Sequence, residues 1–218
     1  MADRLVLALD TATVVNVGLA RGPQVLAEAT LADRMAHAEQ LMPLVADVVA
    51  RAGVRAADVE QIVVGLGPGP FTGLRVGVVT AQVLATVAGI PLYGVCSLDV
   101  LAAAYAATDP AGEFLVTTDA RRREVYWARY DADGTRRDGP AVDRPDAVPQ
   151  LPTVGPAVDL YPDQLAAVAG PRALDPGLMA GHGPDLADAG REPLYLRRPD
   201  AAEPSRPKSV LAGTRDAR

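Results

Sequence analysis

Apolar and polar positions alternate along the first half of the chain in patterns typical of short strands and two longer helices. The apolar run at 5–9 is continuous, as in a central strand, and the next two runs follow polar or glycine turns. The predicted strands cover residues 5–9, 14–20, 25–30 and 61–65, and the predicted helices cover 37–52 and 74–88. This order predicts a mixed sheet covered by helices, which is an α/β lobe.

The second half of the chain begins a new pattern. A further helix is predicted from Ser97 to Ala107, and strands are predicted at 113–118 and 124–130 around a turn. Proline and glycine interrupt the sequence after that, so we expect only short elements there. We therefore predict an α/β lobe of residues 1–108, a smaller α/β lobe of residues 109–200 and a disordered tail of residues 201–218.

A glycine-rich loop, Gly65 to Gly77, lies between the strand at 61–65 and the following helix. A helix N-terminus in this position is typical of phosphate binding. The spacing of its glycines fits neither the Walker loop nor the dinucleotide fingerprint, and no lysine lies nearby. Pro68 and Pro70 also lack the backbone N–H groups that a phosphate cradle needs. The loop therefore predicts a rigid turn that begins a buried helix.

The two helices carry more apolar surface than one sheet can cover. Apolar positions of the first helix span an arc of about 200°, although a helix on a sheet needs only about 100°. In the second helix only Arg75, Gln82 and Thr86 form a thin polar strip. The excess surface needs the second lobe or another protein chain as its cover, and we favour a partner chain. The predicted interface residues are Met35, His37, Leu41, Met42, Val45, Val49, Arg75, Val76, Val79 and Val83.

Two residues disturb these helices. Pro43 predicts a kink or a helix start close to it, because proline inside a helix costs about 3 kcal/mol. Arg75 places a cation in the first turn of its helix, where it opposes the helix dipole. We expect Arg75 to pair with a carboxylate of this chain or of a neighbouring one, or else to meet a bound anion.

Composition restricts the class of protein. The net charge of −6 and the pI near 4.9 argue against independent binding to nucleic acid. The single cysteine, Cys96, excludes an internal disulfide and is expected to be a small buried residue. The sequence runs from Met1 directly into an apolar strand, and no uninterrupted apolar run approaches 18 residues. These features predict a cytoplasmic protein without a membrane span.

Five segments, in order along the chain, resemble the TsaB family, also called YeaZ. They are Leu7–Thr13, His37 with Gln40–Pro43, Gly67–Gly77, Asp119–Tyr126 and Pro193–Arg197. The resemblance implies the two-lobed actin, sugar-kinase and heat-shock-chaperone fold with ribonuclease H-like lobes, the second one reduced. It also implies a non-catalytic partner of TsaD that works with TsaE to place threonylcarbamoyl on an adenosine of tRNA.

The residues themselves also favour a non-catalytic role. Asp10, Thr11 and Asp119 are the candidates for contact with a nucleotide, but valines follow the first turn where glycines would let phosphate approach. The resemblance implies that catalytic TsaD proteins hold a metal with two histidines four residues apart, whereas this chain has Leu41 four residues after His37. We predict no catalytic residue, no metal and no intrinsic cofactor, with a nucleotide at the partner interface as an open alternative.

Three functions remain to be compared. The first is a binding subunit that docks TsaD, forms a homodimer when that partner is absent and meets tRNA only indirectly. The second is an ATP-dependent small-molecule kinase or acyl transferase of the same fold, which would bind ATP in isolation. The third is a protease, for which Cys96 lacks a nearby histidine in the sequence.

Overall fold

The computed structural model describes residues 3–31 and 37–197, which form two β-sheets with helices between and around them. The strands of the first sheet are β1 (Leu5–Asp10), β2 (Val15–Arg21), β3 (Gln24–Leu31), β4 (Gln61–Gly65) and β5 (Leu92–Val95). Their order is β3-β2-β1-β4-β5, in which β1, β2 and β3 pair antiparallel and β4 and β5 extend the sheet in parallel. The helices near this sheet are α1 (His37–Arg51), α2 (Phe71–Ala88) and α3 (Ser97–Ala106).

Alternation along β1 separates the two faces of the first sheet. Leu5, Leu7 and Leu9 pack in one apolar cluster with buried residues of α1 and α2. Val6 and Ala8 point to the other face, where they join a second cluster. Because side chains alternate along a strand, β1 is buried on both sides and forms the centre of the lobe.

The second sheet contains four strands, β6 (Phe114–Asp119), β7 (Val125–Tyr130), β8 (Arg136–Asp143) and β9 (Thr153–Val154), in the order β8-β7-β6-β9. Helix α3 lies between the sheets, since its Val100 belongs to the cluster under the first sheet while Leu98 and Leu101 pack with Phe114 and Tyr130 of the second. One short helix therefore connects the two cores.

The C-terminal part of the described chain returns to the first sheet. Helix α4 (Pro176–His182) packs across β1, β2 and β3, and Leu174, Met179 and Ala180 fill the cluster beneath Val6. Its first turn lies against Gly18, where a Cβ atom would meet the Pro176 carbonyl oxygen at 1.9 Å. Part of the segment that the sequence assigns to the second lobe thus packs in the core of the first sheet.

The α/β class and the two-sheet architecture predicted from the sequence are confirmed. Helix α2 begins at Phe71, three residues before the predicted start, and Pro43 lies inside α1 on its exposed side. Within the described residues, α2 alone is long and apolar enough to cross a membrane, with 33% of its residues buried. Core helices of soluble proteins satisfy the same criteria, so this is weak evidence of a membrane span.

Candidate functional site

The glycine-rich loop packs tightly against the turn between β1 and β2. A Cβ atom on Gly69 would lie 2.5 Å from the Ala12 carbonyl oxygen, and one on Gly77 would lie 2.2 Å from Thr11 Oγ1. These glycines allow two segments of the chain to approach each other where any side chain would collide. The loop therefore packs closely on the β1–β2 turn, but the helix that it begins is only partly buried, with 33% of its residues buried.

Asp10 and Thr11 are both bonded to neighbouring groups of the chain. The Asp10 carboxylate accepts hydrogen bonds from Ser97 Oγ (2.5 Å) and from the backbone N–H of Ala12 (3.0 Å). Thr11 Oγ1 donates to the carbonyl oxygen of Gly73 at 2.8 Å, inside the first turn of α2. These two nucleotide-contact candidates thus help to join β1 to the glycine loop.

A cleft of about 830 Å³ lies between the two sheets. Its walls come from the β1–β2 turn, the start of α2, the β6–β7 turn and the segment near Arg172. Asp119, the third nucleotide-contact candidate, lines this cleft, and its Oδ1 accepts the backbone N–H of Arg121 at 2.8 Å. The structure therefore places Thr11 and Asp119 on opposite walls of one cleft, with Asp10 buried behind it.

The β6–β7 turn has an unusual backbone. Arg121, Arg122 and Arg123 have φ angles of 59°, 54° and 62°, which place three consecutive non-glycine residues in the left-handed region. Each such residue costs about 1–2 kcal/mol relative to the right-handed conformation. The sequence predicted a turn here but gave no sign of this conformation, because arginine is not a residue that favours it.

Three side chains join the N-terminal end of α2 to the C-terminal segment at the mouth of the cleft. The Arg75 guanidinium carbon lies 3.8 Å from the ring centroid of Phe71, and Arg75 Nε donates to Tyr195 Oη at 3.2 Å. The rings of Phe71 and Tyr195 are themselves 4.7 Å apart. Among the described residues, Arg75 meets the ring of Phe71 and the hydroxyl of Tyr195, not a carboxylate. A carboxylate of a neighbouring chain, or a bound anion, as the partner of Arg75 stays a prediction.

Arg197 connects the same C-terminal segment to the second lobe. It forms an ion pair with Glu124 and donates through Nη1 to the Ala120 carbonyl oxygen at 2.7 Å. Since Tyr195 contacts α2 and Arg197 contacts the β6–β7 turn, residues 195–197 bridge the cleft at its rim. The family resemblance includes residues 193–197, but the local sequence does not indicate that they bridge the cleft.

The predicted interface residues divide into a buried and an exposed group. Leu41, Val45 and Val49 are buried in the core beneath α1, so they are not part of the proposed interface. The exposed fractions are 45% for Met42, 54% for Val79, 55% for Val83 and 83% for Val87, while Val76 is half-buried and Arg75 is exposed. Met35 and the side chain of His37 lie outside the described residues.

The remaining candidates, the thiol of Cys96 and possible metal ligands, do not form a cluster in the described residues. Cys96 is buried as expected, and burial raises the pKa of its thiol to about 12, so the thiol stays protonated at neutral pH. Over residues 3–31 and 37–197, no three histidine, cysteine or acidic side chains are grouped so that they could hold a metal ion. The prediction that no metal is bound stays a prediction.

These features define a two-lobed α/β protein with an inter-lobe cleft and an exposed apolar helix. A family model described as "TsaD: tRNA N6-adenosine threonylcarbamoyltransferase" matches residues 24–180. A solved structure described as YeaZ from Pseudomonas aeruginosa is 28% identical, with a TM-score of 0.67 over 83% of this chain and 91% of that one.

Sequence relatives agree with these matches. An uncharacterized protein of Mycobacterium tuberculosis is 46% identical over 204 residues, which cover 90% of this chain and 93% of that protein. The Escherichia coli protein named tRNA threonylcarbamoyladenosine biosynthesis protein TsaB is 38% identical over 129 residues, which cover 59% of this chain and 55% of that protein. The chain belongs to the TsaB/YeaZ family.

Proposed function

We propose that this chain is a non-catalytic partner subunit in the biosynthesis of threonylcarbamoyladenosine in tRNA. In this proposal it docks a TsaD protein, acts with TsaE and works in the cytoplasm. The name of the Escherichia coli relative supports the pathway, and the match to the TsaD family model supports a link with that protein.

The observation that carries the docking proposal is a row of exposed valines on α2. Val79, Val83 and Val87 are four residues apart, so their side chains lie one above another along one face of the helix. Their exposed fractions exceed one half, although valine is usually buried. Contiguous exposed apolar surface of this kind marks interaction sites in soluble proteins. A helix of TsaD that packs on this row would remove it from water.

The residues beside the valine row are of types that are common at protein interfaces. Arg75 begins the row at its N-terminal end, and Met42 of the neighbouring helix α1 is also exposed. Arginine and methionine are both enriched at protein interfaces, where charged rims surround apolar centres. We therefore assign Met42, Arg75, Val79, Val83 and Val87 to the proposed interface.

Two observations support the non-catalytic part of the proposal. Asp10 and Thr11 are engaged in internal hydrogen bonds instead of pointing freely into the cleft. The raised pKa of the buried Cys96 thiol disfavours the thiolate that a cysteine protease needs. We propose that the chain has no intrinsic cofactor and that any nucleotide of the complex lies at the interface with TsaD.

The test is co-purification of the full chain with TsaD after single valine-to-glutamate changes. Val83→Glu and Val79→Glu place a charge in the centre of the row and are expected to lower the recovered TsaD at least tenfold, as would Met42→Glu to a smaller extent. Val25→Glu is the matched control, because Val25 is also exposed but lies beside α4 on the opposite face of the sheet. Full recovery of TsaD with Val79→Glu and Val83→Glu would show that the interface is elsewhere.

A further inference from the structure

We propose that a small cavity behind the cleft is a binding site for one internal water molecule. This water would join the end of β1 in the first sheet to the end of β6 in the second through hydrogen bonds. The five residues assigned to the proposed interface do not line this cavity, so the water site is independent of the proposed function.

The strands β1 and β6 both end in a polar residue on the face that packs with α3. On β1, Ala8 belongs to an apolar cluster that includes part of α3, and Asp10 is the next residue on the same face. On β6, Val116 belongs to the other apolar cluster of α3, and Thr118 is the next residue on that face. Asp10, Thr118 and Ser97, the first residue of α3, all line one cavity.

This cavity has the size of a single water molecule. Its volume is about 10 Å³, which is close to the smallest space that holds one water. Six further residues complete its wall, and they are Ala12, Thr13, Pro68, Leu101, Pro156 and Leu174. Several of these six also line the large cleft, so water can reach the cavity from the cleft.

The hydroxyl of Thr118 is the polar group that most needs a partner in this cavity. Thr118 is only 3% exposed, and its Oγ1 has no hydrogen-bond partner within residues 3–31 and 37–197. A buried hydroxyl that stays unpaired lowers the folding equilibrium constant by roughly tenfold to a hundredfold. Internal waters typically bind to buried polar groups of this kind, because the water supplies the missing hydrogen bond.

The other two polar residues of the cavity can bind the same water. The Asp10 carboxylate accepts from Ser97 Oγ at 2.5 Å and from the Ala12 N–H at 3.0 Å, which does not exhaust the roughly four acceptor sites of a carboxylate. Ser97 Oγ accepts from the Gly67 N–H at 3.1 Å and retains one lone pair. A water that accepts from Thr118 and donates to Asp10 and Ser97 makes about three hydrogen bonds, as internal waters usually do.

A divalent metal ion fits this cavity less well than a water does. Calcium takes six to eight oxygen ligands, and magnesium keeps several of its own waters in an octahedral shell. A cavity of about 10 Å³ has no room for such a shell. Among the described residues that line it, Asp10 is the single acidic one. The polar groups therefore match the hydrogen bonds of a water and not the coordination shell of a metal.

The test is a crystal structure of the full chain at a resolution that shows ordered waters. We expect one water within hydrogen-bond distance of the Asp10 carboxylate and Thr118 Oγ1. Its occupancy should fall in Thr118→Val, which removes the hydroxyl, and should be retained in Thr118→Ser. The matched control is Thr117→Val, because Thr117 is also buried on β6 but donates to the Val154 carbonyl oxygen and does not line the cavity.

Two crystallographic results would overturn the inference. The first is the lack of a water peak in the unmodified chain, and the second is a peak of undiminished occupancy in Thr118→Val. Crystals grown in rubidium chloride test for a monovalent cation at the same place. An anomalous peak from rubidium in the cavity would assign the site to a cation and would also overturn the inference.

Urea denaturation gives a second measurement, in which the two states of the hydroxyl predict opposite results. If a water pairs the Thr118 hydroxyl, Thr118→Val should lower the folding equilibrium constant by about tenfold, because the water loses one of its partners. If the hydroxyl is buried without a partner, the same change should leave the constant unchanged or raise it. Either of these last two outcomes would contradict the water site.

Discussion

Ser97 Oγ donates a hydrogen bond of 2.5 Å to the Asp10 carboxylate and accepts one of 3.1 Å from the Gly67 backbone N–H, and all three groups are buried. One hydroxyl thus joins the end of β1, the glycine loop and the start of α3. Ser97→Ala would leave a buried carboxylate and a buried N–H without this partner.

We therefore expect Ser97→Ala to lower the free energy of unfolding by about 1–3 kcal/mol, measured by urea denaturation. Thr108→Ala is the control, because the exposed Thr108 hydroxyl donates to the Tyr105 carbonyl oxygen at 2.7 Å and its loss should change stability by less than about 0.5 kcal/mol. Equal effects of the two substitutions would contradict the role of Ser97.

Gly77→Ala should destabilise the protein, although the same change inside an ordinary helix stabilises it by about 0.5–1 kcal/mol. The added methyl group would lie 2.2 Å from Thr11 Oγ1, which is buried and bonded to Gly73. We expect a loss of about 1–3 kcal/mol in urea denaturation, as overpacking of a core typically costs.

A double-mutant cycle identifies the cause. Thr11→Ala removes the colliding atoms, so the double variant Thr11→Ala/Gly77→Ala should lose less stability than the sum of the two single changes. Gly112→Ala is a neutral control, because an added Cβ there meets nothing within 4 Å. Simple additivity at Thr11 and Gly77 would be inconsistent with the packing described above.

The isolated chain should form a homodimer through the exposed valines of α2 when TsaD is absent. Sedimentation equilibrium is expected to show the dimer for the unmodified chain and for Val25→Glu. Val83→Glu should shift the equilibrium to the monomer, because a carboxylate would be buried in the interface without a partner. A dimer that persists in Val83→Glu would place the self-association surface elsewhere.

Cys96 should be unreactive in the folded protein. Burial raises the pKa of its thiol to about 12, so almost no thiolate is present at pH 8, and the side chain has no exposed surface. Ellman's reagent is expected to label one thiol per chain in 6 M guanidinium chloride and none within the same period under native conditions. Rapid native labelling would show that this part of the core opens readily.

The stability of the folded protein is expected to depend on pH through Asp99. Burial raises the pKa of its carboxyl group above the ordinary value, while Arg136 Nε at 3.3 Å and Tyr130 Oη at 2.7 Å favour its charged form. Arg136→Met would raise this pKa further. A carboxyl group whose pKa is raised by folding stabilises the folded state as the pH falls through that pKa. The loss of unfolding free energy caused by Arg136→Met should therefore be smaller in acid.

We expect Arg136→Met to cost about 2 kcal/mol at pH 7.5 and less at pH 5, measured by urea denaturation of both proteins at each pH. This value allows for partial screening, since the Arg136 side chain is 24% exposed. Arg137→Met is the adjacent control, whose ion pair with Asp131 lies at the surface. A penalty that does not depend on pH would show that Asp99 does not respond to Arg136.

Local patterns in the sequence predicted most of the first sheet and its helices. The continuous apolar run of β1 and the periodicity of α2 reflect which of their residues are buried. Such local patterns of burial can be recognised in the sequence itself. The width of the apolar arc on α1 was misleading. Leu41, Val45 and Val49 are covered by the broad first sheet, to which the long strand β3 contributes Leu26, Ala27, Ala29 and Leu31.

Contacts between distant segments could not be predicted in the same way. The seven-residue helix α4 carries no signal for which sheet it covers, and Arg75 meets Tyr195, which lies 120 residues away. The sequence predicts Thr11 and Asp119 as nucleotide-contact candidates, but the cleft that both residues line depends on how the second sheet is placed. Such arrangements follow from tertiary packing, which local propensity does not encode.

The return of α4 to the first sheet means that neither lobe is a continuous piece of chain. A fragment that ends at residue 108 would expose Val6, Ala8 and Val63, which α4 and its neighbours cover in the intact protein. The second sheet is in effect an insertion between α3 and α4, anchored at both of its ends. The two lobes should therefore be produced together, and they should unfold as one cooperative unit.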